Sequence, residues 1–329
     1  MTDHIQRRDV LRFAAAGAAV MAGAARAQST GWPTKPVTLV VPFPAGGGTD
    51  AFARPLSAQF SKVTNQTLVI DNRGGAGGTL GASIASKAPA DGYTLFMGAV
   101  HHAIAPSIYP KLDYDIEKDF VPIMLLANAP QVVVVNPKRV SQSTIQEFIA
   151  YAKKNPAKMN YGSAGAGTSH HLAGELFKQQ TGTFITHIPY RGAGPMLGDL
   201  ISGNVDVCFD GLGSSATHIK GGRIKALMVS GNKRNPAFPD VPCAAEVGLP
   251  DYTVTTWYGL WAPKGTPADV QARVIDDVKK AWAADELKTI WAANGSDIPN
   301  LTGAQYGAFV NSEVKRWAAV VKTSGAKLE

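Results

Sequence analysis

Residues 37–50 read VTLVVPFPAGGGTD, an apolar strand that runs through a glycine-rich loop into residues typical of a helix start. Residues 159–171 repeat this design as MNYGSAGAGTSHH. Glycine lets the main chain turn at positive φ and lets a ligand approach it closely. A helix start adds unpaired N–H groups and the positive end of the helix dipole, which together favour an anion. Two such corners, far apart in the sequence, predict one small anion that is held from two sides.

The amino-terminal residues predict export from the cytoplasm. Residues 6–13, QRRDVLRF, carry paired arginines, and an apolar run over 14–25 leads to the A-x-A cleavage pattern that ends at Ala27. This run is too short and too rich in Ala and Gly to span a bilayer permanently. We therefore expect residues 1–27 to be a twin-arginine-like export signal, cleaved near Ala27, and the rest of the chain to be periplasmic.

Composition narrows the choice of partner. The 329-residue chain has a formal net charge of +7, and its Lys and Arg residues are scattered. Scattered basic residues are not typical of nucleic-acid binding, so no nucleic-acid partner is expected. The two cysteines, Cys208 and Cys243, lack metal-ligand spacing. Export would permit a disulfide between them, but the sequence does not show whether they are close.

Apolar strands alternate with amphipathic helices along most of the chain, which predicts an α/β fold with mostly parallel sheets. The apolar stretch 121–136, interrupted at 128–131, is predicted to cross from one lobe to another, and residues 253–263 are predicted to cross back. Two crossings with a discontinuous first lobe are typical of hinge-closing binding proteins. The predicted lobe 1 comprises residues 28–126 and 254–329, and lobe 2 comprises residues 127–253.

The two corners lack the residues that nucleotide or hydrolase chemistry requires. The first has no Gly-Lys-[Ser/Thr] ending of a P-loop, and in the second His170 occupies the third glycine position of a dinucleotide-binding loop. No Gly-x-Ser-x-Gly nucleophile elbow occurs in the chain. The adjacent histidines at 101–102 and 170–171 lack the further ligands of a zinc site, so no metal is expected. His170 is expected to hydrogen-bond its own loop.

Several side chains near the corners have more than one interpretation. Asp50 is expected to cap the helix that follows the first corner. His101 and His102 follow a predicted strand at 93–97, where α/β proteins bind ligands, and they are either specificity residues or part of a surface loop. Arg73 either steers an anion or braces its glycine-rich loop.

Seven motifs in this order resemble one known family. They are VPFPAGGGTD (41–50), DNRGGAGG (71–78), ADGYTL (90–95), YGSAG (161–165), PYRG (189–192), WYGL (257–260) and APKGTP (262–267). The chain resembles the substrate-binding proteins of tripartite tricarboxylate transporters, the Bug family, over nearly all of the expected mature chain. The resemblance implies a bilobed periplasmic-binding-protein fold (Venus flytrap, type II), with two doubly wound α/β domains joined by two crossing strands.

The resemblance also implies a function and a site. It implies a monomer without a cofactor that captures a di- or tricarboxylate, an aromatic acid or an acidic amino acid and passes it to the membrane permease subunits. The residues that it nominates for ligand binding are Phe43, Ala45, Gly46, Gly47, Thr49 and Asp50 in lobe 1, and Ser163, Ala164, Gly167, Thr168, Ser169, Tyr190 and Asp210 in lobe 2. His101, in a region that varies within the family, is added to this set.

Two other functions stay open from the residues alone. One is an exported enzyme that acts on an acidic substrate, and the other is a ligand-sensing module for a membrane kinase. The enzyme is disfavoured because no nucleophile–base or metal constellation is recognisable in the sequence.

Overall fold

The structure is a computed structural model that describes residues 31–324. The expected export signal at residues 1–27 therefore lies outside the described residues. The strands are β1 (Val37–Val41), β2 (Leu68–Asn72), β3 (Thr94–Ala99), β4 (Phe120–Val135), β5 (Asn160–Ser163), β6 (Thr186–Pro189), β7 (Val207–Gly211), β8 (Lys225–Val229) and β9 (Thr255–Pro263).

Ten α-helices accompany these strands within the described residues. They are α1 (Gly48–Thr64), α2 (Thr79–Ser86), α3 (His101–Ile108), α4 (Ile145–Lys154), α5 (Ser169–Thr181), α6 (Ala193–Ser202), α7 (Leu212–Lys220), α8 (Ala268–Ala283), α9 (Asp285–Ala293) and α10 (Gly303–Ser324). None of the helices in this part of the chain is both long enough and apolar enough to cross a membrane.

The strands form one continuous path that contains two parallel regions. The order is β2-β1-β3-β9-β4-β7-β5-β6, and β8 pairs with β4. β1 pairs in parallel with β2 and β3, and β5 pairs in parallel with β6 and β7. The central strands β4 and β9 are antiparallel to each other and to their other neighbours. This arrangement confirms the predicted α/β architecture, while the exact division into lobes 1 and 2 stays a prediction.

β4 is the long crossing strand. Its residues 120–130 pair with β9, and its residues 131–135 pair with β7. The interruption of the apolar stretch at 128–131 does not break the strand, which continues through Pro130. Pro130 is the last residue paired with β9 and precedes the first residue paired with β7. A missing N–H is tolerated where a strand changes partners, so proline does not end this strand.

Two short helices were not predicted from the sequence. α3 begins at His101, where a loop was one of the expected structures, and α7 begins at Leu212, directly after β7. Pro106 lies inside α3, and Gly213 and two serines lie in the first half of α7, so both segments lack the signature of a helix. The predicted cap of α4 is confirmed, because the Thr144 hydroxyl accepts a hydrogen bond from Glu147 N.

Apolar packing continues across the crossing strands. One cluster of buried side chains includes Phe96 from β3, Trp257 from β9 and Phe209 from β7. Cys208 and Cys243 are both buried and free, so the structure contains no disulfide between them. The core therefore connects the two parallel regions and holds their strand ends, and the loops that follow them, close together.

Candidate functional site

The starts of four helices surround one small cavity. The cavity has a volume of about 10 Å³ and lies between the first corner, after β1, and the second corner, after β5. Its lining residues are Phe43, Gly47, Gly48, Thr49, His101, Ala164, His170, Ala193 and Tyr258. They include the first residues of α1, α3 and α6 and the second residue of α5. Because each helix start carries partial positive charge, this arrangement favours an anion without any Lys or Arg in the lining.

The starts of α1 and α6 keep free amide donors. Their N-cap residues, Gly47 and Gly192, provide no side-chain hydrogen bond. In α1 the amide of Ala51 makes the first bond, to Gly47 O, so the amides of Gly48 and Thr49 have no acceptor within the helix. These amides are suited to bind an oxyanion.

Asp50 braces the first corner instead of capping α1. The helix begins at Gly48, so the expectation that Asp50 caps it is wrong. Its carboxylate accepts hydrogen bonds from Gly46 N at 3.0 Å, from Arg54 Nε at 2.8 Å and from Asn72 Nδ2 at 3.3 Å. These partners fix the loop and offset a charge that would otherwise repel a ligand anion.

The hydroxyls of the second corner are engaged within lobe 2. Ser163, Thr168 and Ser169 were expected to bind the ligand. Their hydroxyl partners are His187 Nε2 at 2.7 Å for Ser163, Gly165 O at 2.7 Å for Thr168, and Gln131 Nε2 at 3.1 Å for Ser169. The three hydroxyls thus shape the loop in this structure, and their direct contact with a ligand stays a prediction.

Hydrogen bonds join α3 of lobe 1 to the second corner across the cleft. The amide of Ser169, at the start of α5, donates to His101 Nδ1 at 3.0 Å. The Tyr109 hydroxyl, just after α3, donates to Ala166 O at 3.1 Å. Burial, then His170 and His102, lower the pKa of His101 well below its usual value, which keeps Nδ1 available as an acceptor. The structure is therefore a closed arrangement of the two lobes.

The main chains of the lobes also touch. A Cβ atom added to Gly194 in α6 would lie 2.6 Å from Ala45 O in the first corner. A Cβ atom on Gly46 would lie 3.9 Å from Gly194 Cα. The nominated residues Ala45 and Gly46 thus lie at the contact between lobes, while Gly167 packs against Ile108 of α3.

His170 and Asp210 form a buried pair at the cavity. Asp210 is fully buried, and its Oδ2 accepts hydrogen bonds from Ser214 at 2.8 Å and Ser215 at 2.6 Å. Its Oδ1 lies 3.5 Å from His170 Nδ1. Burial lowers the pKa of His170, and Asp210 opposes this shift. Asp210 therefore lies behind the cavity wall, while His170, which was expected only to bond its loop, lines the cavity itself.

A larger pocket of about 240 Å³ adjoins the small cavity. Phe43 and Ala164 line both spaces, and the nominated Tyr190 lines only the larger one together with Arg191. Arg73 lines neither space, and its guanidinium pairs with Asp71 at 2.9 Å. This contact supports the interpretation that Arg73 braces its loop.

Sequence reasoning missed Gly48, His170, Ala193 and Tyr258 as lining residues. Gly48 lies within the first corner motif, which was a usable signal. Tyr258 is on β9 and Ala193 begins α6, so both come from segments distant in sequence from either corner. Only the tertiary arrangement brings these residues to the cavity.

The contact between Ser163 and His187 resembles a nucleophile–base pair, but its setting does not suit catalysis. Ser163 is fully buried. Burial, with smaller contributions from His171 and Lys178, lowers the pKa of His187 to about 3. A general base works best when its pKa lies near the working pH, so His187 is a poor acceptor for the serine proton. No group of three or more His, Cys, Asp or Glu residues within 31–324 is arranged to hold a metal ion.

Comparison with known proteins identifies the family. The family model of the tripartite tricarboxylate transporter family receptor, TctC, matches residues 52–326. The chain belongs to this family. A solved structure of the periplasmic binding protein BugD is 32% identical, with a TM-score of 0.87 over 91% of this chain and 100% of that chain. The TctC resemblance inferred from the sequence motifs is thus confirmed.

Two further TctC-like structures contain carboxylates. Rpa4515 of R. palustris, solved with adipate, is 36% identical, with a TM-score of 0.87 over 91% of this chain and 100% of that chain. MatC of Rhodopseudomonas palustris, solved with bound malate, is 33% identical, with a TM-score of 0.83 over 88% of this chain and 100% of that chain. These similarities confirm the predicted bilobed periplasmic-binding-protein fold.

Proposed function

We propose that this chain is a periplasmic receptor that captures a small carboxylate by closing its two lobes and delivers it to the membrane subunits of a tripartite tricarboxylate transporter. The observation that carries the proposal is the convergence of four helix starts on one small cavity. Adipate in Rpa4515 and malate in MatC support a carboxylate as the ligand class. In this proposal the protein binds and releases its ligand unchanged, without catalysis or a cofactor.

Closure provides the binding energy through neutral donors. A carboxylate loses its hydration when the lobes close, and amides at the helix starts replace the lost hydrogen bonds. A single water molecule needs about 10–15 Å³, so the small cavity of about 10 Å³ has room for little more than one carboxylate oxygen. The lobes must therefore separate to admit a ligand. Its remaining atoms would extend past Phe43 and Ala164 into the larger pocket.

Membership in the TctC family supports the rest of the proposal. The rest of the proposal comprises export through the signal at residues 1–27, cleavage near Ala27 and a monomeric receptor. It also comprises a hinge between lobe 1 (28–126 and 254–329) and lobe 2 (127–253). Delivery to permease subunits follows from the transporter system that the family serves.

The test is a thermal-shift screen of the purified protein against adipate, malate, citrate, benzoate and glutamate, followed by calorimetry. A ligand at 100 times its Kd stabilises the folded state by about 2.7 kcal/mol, which raises Tm by roughly 4 °C for a chain of this size. We expect at least one compound to give such a shift. No shift from any of the five would contradict the proposal, and hydrolysis of their ester or amide derivatives would favour an enzyme.

A further inference from the structure

His170 has an unusual polar environment. Its ring lines the small cavity, yet the residue is only 3% exposed. Its Nδ1 faces Asp210 Oδ1 at 3.5 Å, and neither atom has a hydrogen-bond partner within the described residues. A buried carboxylate oxygen without a donor is energetically costly, and here the nearest candidate donor is the imidazole.

A neutral His170 ring cannot donate hydrogen bonds to two carboxylates at once. Neutral imidazole has one N–H and one lone pair. With the proton on Nδ1, the lone pair of Nε2 is the one left for a ligand in the cavity. With the proton on Nε2, the lone pair of Nδ1 faces Asp210. One carboxylate then always meets a lone pair, and only the protonated ring donates to both Asp210 and a bound carboxylate.

The other groups around His170 determine its state without a ligand. The start of α5 carries partial positive charge and disfavours a cation. The His101 ring lies 5.5 Å from the His170 ring on the α3 side, and its Nδ1 accepts the Ser169 amide. Tyr258 on β9 lines the same cavity, and burial and then Asp210 raise its pKa, so it stays a neutral phenol. Burial of His170 likewise favours the neutral ring, and Asp210 is the one charge that opposes this.

We propose that a carboxylate ligand binds together with one proton, taken from solvent by His170, so that the ligand and Asp210 flank an imidazolium. This inference rests on the proposed function and assigns to His170 the role of selecting an anionic group on the ligand. Asp210 acts through His170 as a positioning residue and does not touch the ligand.

The sign of the pH dependence follows from linkage. A second carboxylate beside the ring raises the pKa of His170 above its value in the free protein, so the complex holds more protons than the free protein between those two values. The affinity is therefore highest at low pH, falls by up to about tenfold per pH unit between the two pKa values of His170, and levels off above the pKa of the complex. The effect should appear between about pH 5 and pH 8, and the proton exchange of a polycarboxylate probe that is itself partly protonated in this range is subtracted from the measured value.

Calorimetry in two buffers of unlike ionisation enthalpy that do not compete for a small anion site, PIPES and imidazole, measures the protons taken up. The probe is whichever of adipate, malate, citrate, benzoate and glutamate gives the largest thermal shift. We expect uptake that approaches one proton at its maximum, and a Kd that weakens about tenfold or more from pH 6 to pH 8. H170Q should abolish the uptake and flatten the pH dependence, and D210N should reduce the uptake.

H101Q is the matched control, because it alters the other cavity histidine. It should weaken the contact between lobes and keep the proton uptake. Tight binding with equal heats in both buffers would overturn the inference and leave the receptor function standing. Uptake that persists in H170Q and disappears in H101Q would assign the proton to His101 and also overturn it. No binding of any probe would contradict the receptor function itself. If H170Q fails to fold, the heats of the natural protein still decide.

Discussion

At the scale of single residues, Tyr258 shows how the site depends on close approach. A Cβ atom on Gly48 would lie 2.1 Å from the Tyr258 hydroxyl, so the start of α1 reaches this phenol only because residue 48 is glycine. The Tyr258 ring packs on Phe52 of α1, with ring centroids 4.7 Å apart. The hydroxyl is thus held at the cavity wall, where we expect it to donate a hydrogen bond to a bound anion.

Replacing Tyr258 by Phe should weaken carboxylate binding. A hydrogen bond to a charged group contributes about 1.5–3 kcal/mol, so Kd should rise roughly 10- to 100-fold, measured by calorimetry. Y114F is the control, because the Tyr114 hydroxyl is buried, has no hydrogen-bond partner within the described residues and lies outside the cavity lining. Equal Kd values for Y258F and Y114F would show that the Tyr258 hydroxyl does not contact the ligand.

Single residues also show where sequence reasoning stops. The motif predicts a second corner made of small and hydroxyl residues, and the structure forms a corner from these same residues. The Ser163 hydroxyl is hydrogen-bonded to His187, so its availability to a ligand depends on that side chain. The Ser169 amide at the start of α5 is hydrogen-bonded to His101, which lies 68 residues away in the sequence. Local pattern carries no information about such distant partners, so the corners could be predicted but not the atoms they offer.

At the scale of elements, the start of α6 is the part of lobe 2 that meets the first corner. Gly194 is its second residue, and the approach of Ala45 O leaves no room for a side chain there. Gly198 lies in the same helix with no atom within 4 Å of an added Cβ. A substitution at Gly194 therefore affects both the contact between lobes and the helix, whereas the same substitution at Gly198 affects only the helix.

Replacing Gly194 by Ala should oppose closure without harming the fold. Alanine favours a helix over glycine by up to about 1 kcal/mol, so the replacement should not destabilise α6 itself. Any fall in the Tm of the ligand-free variant should therefore come from the clash between the lobes. The added Cβ would meet Ala45 O at 2.6 Å in the closed form, and we expect calorimetry to show Kd raised about tenfold or more.

G198A provides the matched control for this change, because it makes the same replacement in the same helix. Its affinity should equal that of the natural protein. If G194A and G198A bind a carboxylate equally well, then the closed contact between α6 and the first corner is not part of the bound state.

The elements that could be predicted share one physical basis. Strand β1 is an apolar run, β1 and β5 both lead into glycine-rich loops, and α4 has its threonine cap, so local chemistry specifies these features. The continuity of β4 through Pro130 depends on a change of strand partners, and α3 and α7 depend on packing rather than propensity. These features belong to the tertiary structure and could not be derived from local sequence.

At the scale of the whole molecule, the crossing strands place the two corners against each other. The side-chain amide of Gln131 in β4 donates to the Ser169 hydroxyl at 3.1 Å and to the Thr256 hydroxyl of β9 at 3.3 Å. This link joins both crossing strands to the start of α5. A change in the angle between the lobes would therefore move the start of α5 and alter the shape of the cavity. The two crossings and the fold class were predictable, whereas the closed contact was not.

The most direct test of the account is a crystal structure of the protein with a bound carboxylate from the screening panel. We expect the carboxylate between the lobes, with its oxygens about 2.7–3.2 Å from main-chain amides at the starts of α1 and α6 and close to His170. The body of the ligand should extend into the pocket lined by Tyr190. A carboxylate bound outside the lobes, or held at Arg191 with no contact to the helix starts, would contradict the account.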